Sequence, residues 1–281
     1  MFVMALKMFQ EKAFHPFETI GSVIAVAAGK GGVGKSTVSV NLALALHQMG
    51  YRVGIMDTDI YGPSVRRMLP ENRMPAKRGE RIVPAVCSGI KMISMAYFRK
   101  EEEASVVRAP IANGVIKQFI QQVDWGELDY LIIDFPPGTG DIQLTLAQEG
   151  SLTGALMVTT PQEVSMMDVK KAMNMFDQVK VPVIGIVENM SYYSSGDEKI
   201  YLFGKGGGER LARGQGLPFL GGIPILEGIS RCSDRGESIF SLESSEAAEA
   251  YLSLARGVDS HLETLAQSSE GCLKNFELLW K

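Results

Sequence analysis

Five short apolar runs punctuate the chain without the polar–apolar alternation of a half-exposed strand: residues 23–28, 52–56, 130–133, 155–159 and 183–187. Such continuous runs predict strands buried on both faces, as in a parallel sheet covered by helices. Between the first two, residues 36–49 carry Val40, Leu42, Ala43, Leu46 and Met49 at mixed three- and four-residue spacing and stop at Gly50. That pattern is an amphipathic helix with a glycine terminus. Residues 165–179 form a second helical stretch between the last two runs. Strands alternating with helices predict an α/β fold, a doubly wound and mostly parallel sheet, with ligands bound beyond the carboxyl ends of the strands.

The remaining stretches are less periodic. Pro63, Pro70, Pro75 and Pro84 interrupt residues 62–103, which read as an irregular excursion with one weak strand at 90–95. Residues 244–265 present Ala247, Ala248, Tyr251, Leu252, Leu254 and Ala255 on one helical face. The expected organisation is an N-terminal extension over 1–22, one domain over 23–266 and a disordered tail over 267–281.

Composition narrows the partners. The 281 residues include 28 Lys plus Arg against 32 Asp plus Glu, a net charge of −4, so no broad basic surface points to nucleic acid. No apolar run reaches the roughly 18 residues needed to cross a bilayer, and a cytoplasmic protein without a membrane partner is the expectation. Cys87, Cys232 and Cys272 are odd in number and scattered, which excludes a disulfide framework and any local Cys-x-x-Cys motif.

The sharpest chemical signal lies between the first run and the first helix. Gly29-Lys30-Gly31-Gly32-Val33-Gly34-Lys35-Ser36 satisfies G-x-x-x-x-G-K-[ST] in the strand–loop–helix context that motif requires, and Thr37 follows it. Glycines let successive N–H groups converge on a polyphosphate at a helix N-terminus. Lys35 would pair with the β and γ phosphates, and Ser36 would offer its hydroxyl to Mg²⁺. Lys30 is a further cation that the general pattern does not demand.

Two acidic groups close apolar runs. Asp57-Thr58-Asp59 ends the second, where Asp59 assisted by Asp57 would orient a water and Asp59 would join the Mg²⁺ shell. Asp134 ends the third and would reach the metal directly or through water. The Phe135-Pro136-Pro137-Gly138-Thr139-Gly140-Asp141 segment that follows is a loop able to sense a γ-phosphate.

Lys30 through Thr37 resembles the deviant Walker A signature of the MinD/ParA/nitrogenase-iron-protein class of ATPases, in which the extra lysine reaches the partner's nucleotide across a homodimer. Asp57 to Ser64 and Asp134 to Asp141 are similar to the Mrp/ApbC-type iron-sulfur cluster carrier ATPases. So are Thr159-Thr160-Pro161-Gln162-Glu163, Glu188-Asn189-Met190-Ser191-Tyr192, Gly204-Lys205-Gly206-Gly207-Gly208 and Gly221-Gly222-Ile223-Pro224. The resemblance spans roughly residues 24–240. It implies ATP and Mg²⁺ as cofactors, a homodimer, and delivery of an iron-sulfur cluster to apoprotein or scaffold partners. It also implies that Asn189 bonds the adenine, with Pro224 closing the pocket.

One departure is large. Where the family commonly carries Cys-x-x-Cys, this chain reads Tyr192-Tyr193-Ser194-Ser195-Gly196-Asp197-Glu198-Lys199, and serine hydroxyls are poor cluster ligands. Two other functions compete with cluster transfer. A MinD/ParA-like positioning ATPase predicts a basic amphipathic C-terminal helix or basic patch, whereas residues 244–265 are mostly acidic on their polar face. A nucleotide-dependent scaffold without a cluster would bind ATP and a partner but not turn over.

Overall fold

The computed structural model describes residues 17–60, 62–98, 109–195, 198–242 and 246–278. In chain order the elements are β1 (Ile20–Ala27), α1 (Lys35–Gln48), β2 (Val53–Asp57), α2 (Val65–Met68), β3 (Ala76–Arg78), β4 (Arg81–Val83), β5 (Ala85–Cys87), β6 (Ile90–Ser94) and α3 (Ala109–Gln122). They continue as β7 (Leu128–Asp134), α4 (Asp141–Glu149), β8 (Gly154–Thr159), α5 (Glu163–Gln178), β9 (Val183–Glu188), β10 (Tyr193–Ser195), β11 (Glu198–Ile200), α6 (Gly207–Gln215), β12 (Phe219–Gly222), α7 (Glu227–Arg235) and α8 (Glu246–Leu278).

Eight strands form one sheet in the order β12-β9-β8-β1-β7-β2-β6-β5, parallel except for the edge strand β5. The order reverses at β1, so the crevice beyond its carboxyl end is the natural ligand position in a doubly wound sheet. Alternate side chains of the central strands enter two separate cores. Ile24, Val26, Ile55 and Ile132 pack with α1 and α8, while Val23, Ala25, Leu131 and Ile133 pack with α3, α4 and α5. This is the two-faced burial that the unalternating apolar runs predict.

Several expectations shift. β1 begins at Ile20, inside the segment read as an extension, and residues 1–16 lie outside the described ones. The excursion over 62–103 is more regular than its prolines suggest: β3 and β4 form a small hairpin, and β6 joins the main sheet parallel to β2. Its residues 99–103 lie outside the described ones. The tail read as disordered from 267 continues α8 to Leu278, so the helix is 33 residues long; residues 279–281 are outside the described ones.

α8 is pinned to the sheet by its polar side as well as its apolar one. Tyr51 donates to Asp259 Oδ2 at 2.8 Å, and Tyr130 donates to Asp259 Oδ1. The bond to Asp259 and burial both raise the Tyr51 phenol above its ordinary value, and burial followed by the same bond does so for Tyr130. Asp259→Ala strands two part-buried hydroxyls and is expected to destabilise the fold by about 1–3 kcal/mol. Urea denaturation is the check: an unchanged midpoint would mean water replaces the carboxylate at no cost.

Candidate functional site

The loop 28–34 leaves the end of β1 and turns into α1 through two left-handed glycines, Gly32 at φ 81° and Gly34 at φ 78°. Gly29 is packed too closely for any side chain, because a Cβ there would stand 2.0 Å from the Asp168 backbone. At Gly34 a Cβ would stand 2.2 Å from the Asn189 amide nitrogen. Gly34→Ala therefore combines left-handed strain with displacement of Asn189. It is expected to weaken nucleotide affinity by about tenfold or more, a loss near 1.4 kcal/mol, and equal wild-type and variant Kd values would refute the contact.

A cleft of about 770 Å³ opens over this loop. Its walls include Lys30, Gly31, Gly32, Gly34, Lys35, Ser36 and Thr37 from the loop and α1, and Asp59 from the end of β2. Asn189 and Pro224 line the same cleft. Gly29 and Val33 are not on that surface: Val33 is buried, lines a smaller adjoining cavity, and offers its carbonyl to the Asn189 amide at 2.8 Å. Asn189 is thus fastened to the phosphate loop while also lining the cleft.

Beneath the loop lies a buried charge network. Lys35, 7% exposed, pairs with Asp134 Oδ1 at 2.7 Å, and Asp134 is fully buried. Ser36 Oγ donates to Asp134 Oδ2 at 2.7 Å and receives a bond from Lys35 Nζ at 3.1 Å. Ser39 Oγ donates to Asp134 Oδ1 at 2.5 Å, and Thr58 bonds the Asp134 carbonyl with its hydroxyl at 2.7 Å. All of these oxygens are hard donors of the kind Mg²⁺ takes. The Ser36 hydroxyl and Asp59 reach the cleft, with Asp134 one bond behind.

Asp57 is fully buried and stands behind the cleft wall rather than on it. Its Oδ1 accepts the Asp59 amide at 3.1 Å and Oδ2 accepts the Ser94 hydroxyl at 2.8 Å. Burial, followed by the neighbouring Asp134 charge, pushes its carboxyl up to about 7. Its geometry suits holding Asp59 in place. Asp59 itself accepts from the Gly62 amide at 3.0 Å.

Sequence reasoning missed several contributors. Ser39 stands one helical turn after Lys35, a spacing that could have flagged it. Ser94 comes from β6, Leu202 and Phe203 from the segment before α6, and Ser230, Ser233 and Asp234 from α7; nothing local in sequence joins them. Among the described residues no substitute cluster ligands emerge. Burial raises both free thiols, Cys87 to about 12 and Cys232 in the same direction, and both are buried. Among the described residues no group of three or more His, Cys, Asp or Glu side chains is placed to hold a metal. In place of the family's cysteines stands the β10–β11 hairpin, whose Ser194 and preceding Tyr192 donate to Glu246 of α8.

A glycine-rich loop between a central parallel strand and a helix, with a buried lysine and a carboxylate beneath it, defines a P-loop NTPase. The match extends along the chain. A profile of the ParA family, described as NUBPL iron-transfer P-loop NTPase, covers residues 19–259. The chain belongs to this family. It is 46% identical over 248 residues to the iron-sulfur cluster carrier protein of Aquifex aeolicus, covering 86% of this chain and 68% of that one. Among solved structures it is similar to a nucleotide-binding protein in complex with ADP from Archaeoglobus fulgidus, at TM-score 0.72 and 39% identity over 83% of this chain and 93% of the other. The MinD protein of Pyrococcus horikoshii, complexed with Mg-ADP, shares the fold at TM-score 0.63 and 22% identity, covering 85% and 96%.

Proposed function

We propose that this chain is a Mg²⁺-dependent ATPase that acts as a homodimer in iron-sulfur cluster assembly or transfer to apoproteins. The observation that carries the reading is the Lys30, Lys35, Ser36, Asp59 and Asp134 constellation along one cleft in a chain similar to iron-sulfur cluster carriers. Lys35 would exchange Asp134 for the β and γ phosphates. Ser36 and Asp59 would ligate Mg²⁺, with Asp134 acting through water, and the metal would neutralise charge developing on the transferring phosphoryl group. Asp59, held by Asp57, would orient the attacking water. Asn189 and Pro224 would take the adenine.

Lys30 stands on the cleft rim and, among the described residues, forms no ion pair. In a face-to-face dimer it would stabilise the partner's transferring phosphate, as an arginine finger does. The cluster is cargo, and neither described thiol, Cys87 or Cys232, is positioned to hold it; Cys272 belongs to the part of α8 whose side chains are not described.

No helix among the described residues is long and apolar enough to cross a membrane. The acidic balance of the chain and the mostly acidic polar face of residues 246–265 favour cluster work, placed in the cytoplasm without a membrane or nucleic-acid partner, over the positioning role.

The test is anaerobic transfer of a cluster to an apo-acceptor with and without Mg-ATP, scored by recovered acceptor activity and by iron and sulfide per protomer. Wild-type protein is expected to hydrolyse ATP only with Mg²⁺ and to accelerate transfer, and Lys30→Ala to lose hydrolysis while still binding ATP. Transfer that is indifferent both to ATP and to Lys35→Ala would overturn the coupling.

A further inference from the structure

The base end of the cleft is tied together by a carboxylate that the nucleotide reading leaves unused. Glu188 ends β9, is 1% exposed, and forms no ion pair among the described residues. A carboxylate at that depth persists only where donors surround it. Ser191 Oγ donates to its Oε1 at 2.6 Å, and the Gly208 amide donates to its Oε2 at 2.6 Å. Both are short, as bonds to a charged acceptor are. Gly208 lies in the first turn of α6, where unpaired amides carry partial positive charge. The Glu188 carbonyl accepts a third bond, from the Ile223 amide at 2.8 Å.

The approach is too close for other residues. A Cβ on Gly208 would stand 2.9 Å from the Glu188 Cβ, and one on Gly222 would stand 2.7 Å from the Ser191 hydroxyl. Three segments therefore meet at one residue, two through its side chain and one through its main-chain carbonyl, and each leads into the cleft wall. Asn189 and Met190 follow Glu188, Leu202 and Phe203 precede α6, and Pro224 and Ile225 follow Ile223. Glu188 itself is absent from that wall.

We infer that Glu188 is a positioning residue for base recognition: its carboxylate fixes, through Ser191 and Gly208, two of the strips that enclose the nucleobase, while its main-chain carbonyl holds the third. The inference rests on the nucleotide reading proposed above. It makes a demand that a general structural role does not, because the phosphate loop has its own buried anchor in the Lys35–Asp134 pair besides the Asn189 amide that bonds Val33. Loss of Glu188 should cost affinity for a ligand with a base and spare a ligand that is phosphate alone.

The experiment measures Kd by calorimetry for Mg-ATP and for Mg-tripolyphosphate on the full chain and on Glu188→Ala, Glu188→Gln and Ser191→Ala. Glu188→Ala, which leaves two buried donors unmatched, is expected to raise the ATP Kd about tenfold and to leave tripolyphosphate within about twofold. In Glu188→Gln the amide oxygen still accepts from Gly208 and the NH₂ can donate to Ser191 Oγ, so ATP affinity is expected to stay near wild type. Ser191→Ala keeps the carboxylate and should show a smaller loss, about threefold, again confined to ATP. Equal weakening of both ligands in Glu188→Ala would overturn the inference, as would an unchanged ATP Kd. Should Glu188→Ala not fold, Ser191→Ala decides by the same two criteria. Wild-type protein that binds neither ligand would overturn the nucleotide reading itself, a result distinct from binding without the base-selective loss.

Discussion

Lys35→Ala is expected to abolish ATP turnover and, less obviously, to destabilise the ligand-free protein by about 3 kcal/mol. The second effect follows from the ion pair rather than from nucleotide chemistry. Lys35 and Asp134 meet at 2.7 Å with almost no exposure, so deleting the ammonium leaves a fully buried carboxylate without its counter-charge. Hydroxyls from Ser36 and Ser39 still reach that carboxylate, which places the cost at the lower end of what broken buried pairs show. Neutralising both partners in Lys35→Ala/Asp134→Asn should recover a large part of it, because the amide no longer carries an uncompensated charge. A denaturant series on the two variants separates the cases, and a Lys35→Ala protein as stable as wild type would mean the pair contributes nothing. Ligand effects should diverge too: Mg-ATP at 100 times its Kd stabilises a binding-competent protein by about 2.7 kcal/mol, and Lys35→Ala should gain none of it.

The pairing of Lys35 with Asp134 was half legible in the sequence. The strand, glycine loop and helix carry the lysine to the right place, and an aspartate ending an apolar run announces a second group at the same sheet edge. β1 and β7 are adjacent, with Val26 opposite Asp134, but adjacency of strands separated by about a hundred residues is set by long-range pairing that no local pattern encodes. The same limit hid Ser94: its strand β6 looked weak between prolines, yet pairing with β2 places it opposite Asp57. The walls contributed by Leu202, Phe203 and α7 were hidden for a related reason, since they come from a loop and a short, strongly polar helix. The stretch beyond residue 267 shows no cap or sustained period of its own and reads as disordered, while α8 runs on through it to Leu278, anchored upstream by Tyr251, Leu254 and Val258 in the core. Pattern reports burial well, and it reports partners only when they are near in sequence.

Asp57→Asn is expected to make the ligand-free protein more stable and the enzyme slower. Burial and the Asp134 charge raise the Asp57 carboxyl to about 7, against about 3.9 in an unfolded chain. The folded state therefore holds an extra proton between those values. Stability contributed by this group is lost as pH rises from about 4 through 7, and the penalty is complete above pH 7. At pH 8 the asparagine removes the penalty, a gain of about 2–4 kcal/mol; near pH 4 the two proteins should differ little. Chemical denaturation of both across pH 4–8 is the measurement, and parallel profiles would show that the carboxylate is compensated at every pH. Activity should move the other way. Asp57 holds the Asp59 amide through a charged acceptor, and a neutral amide holds it less firmly, so kcat for ATP is expected to fall by about tenfold or more. A residue whose removal strengthened the fold while weakening turnover would be one kept for the reaction, and the charge buried beneath Asp59 would then be explained by that reaction rather than by the sheet it ends.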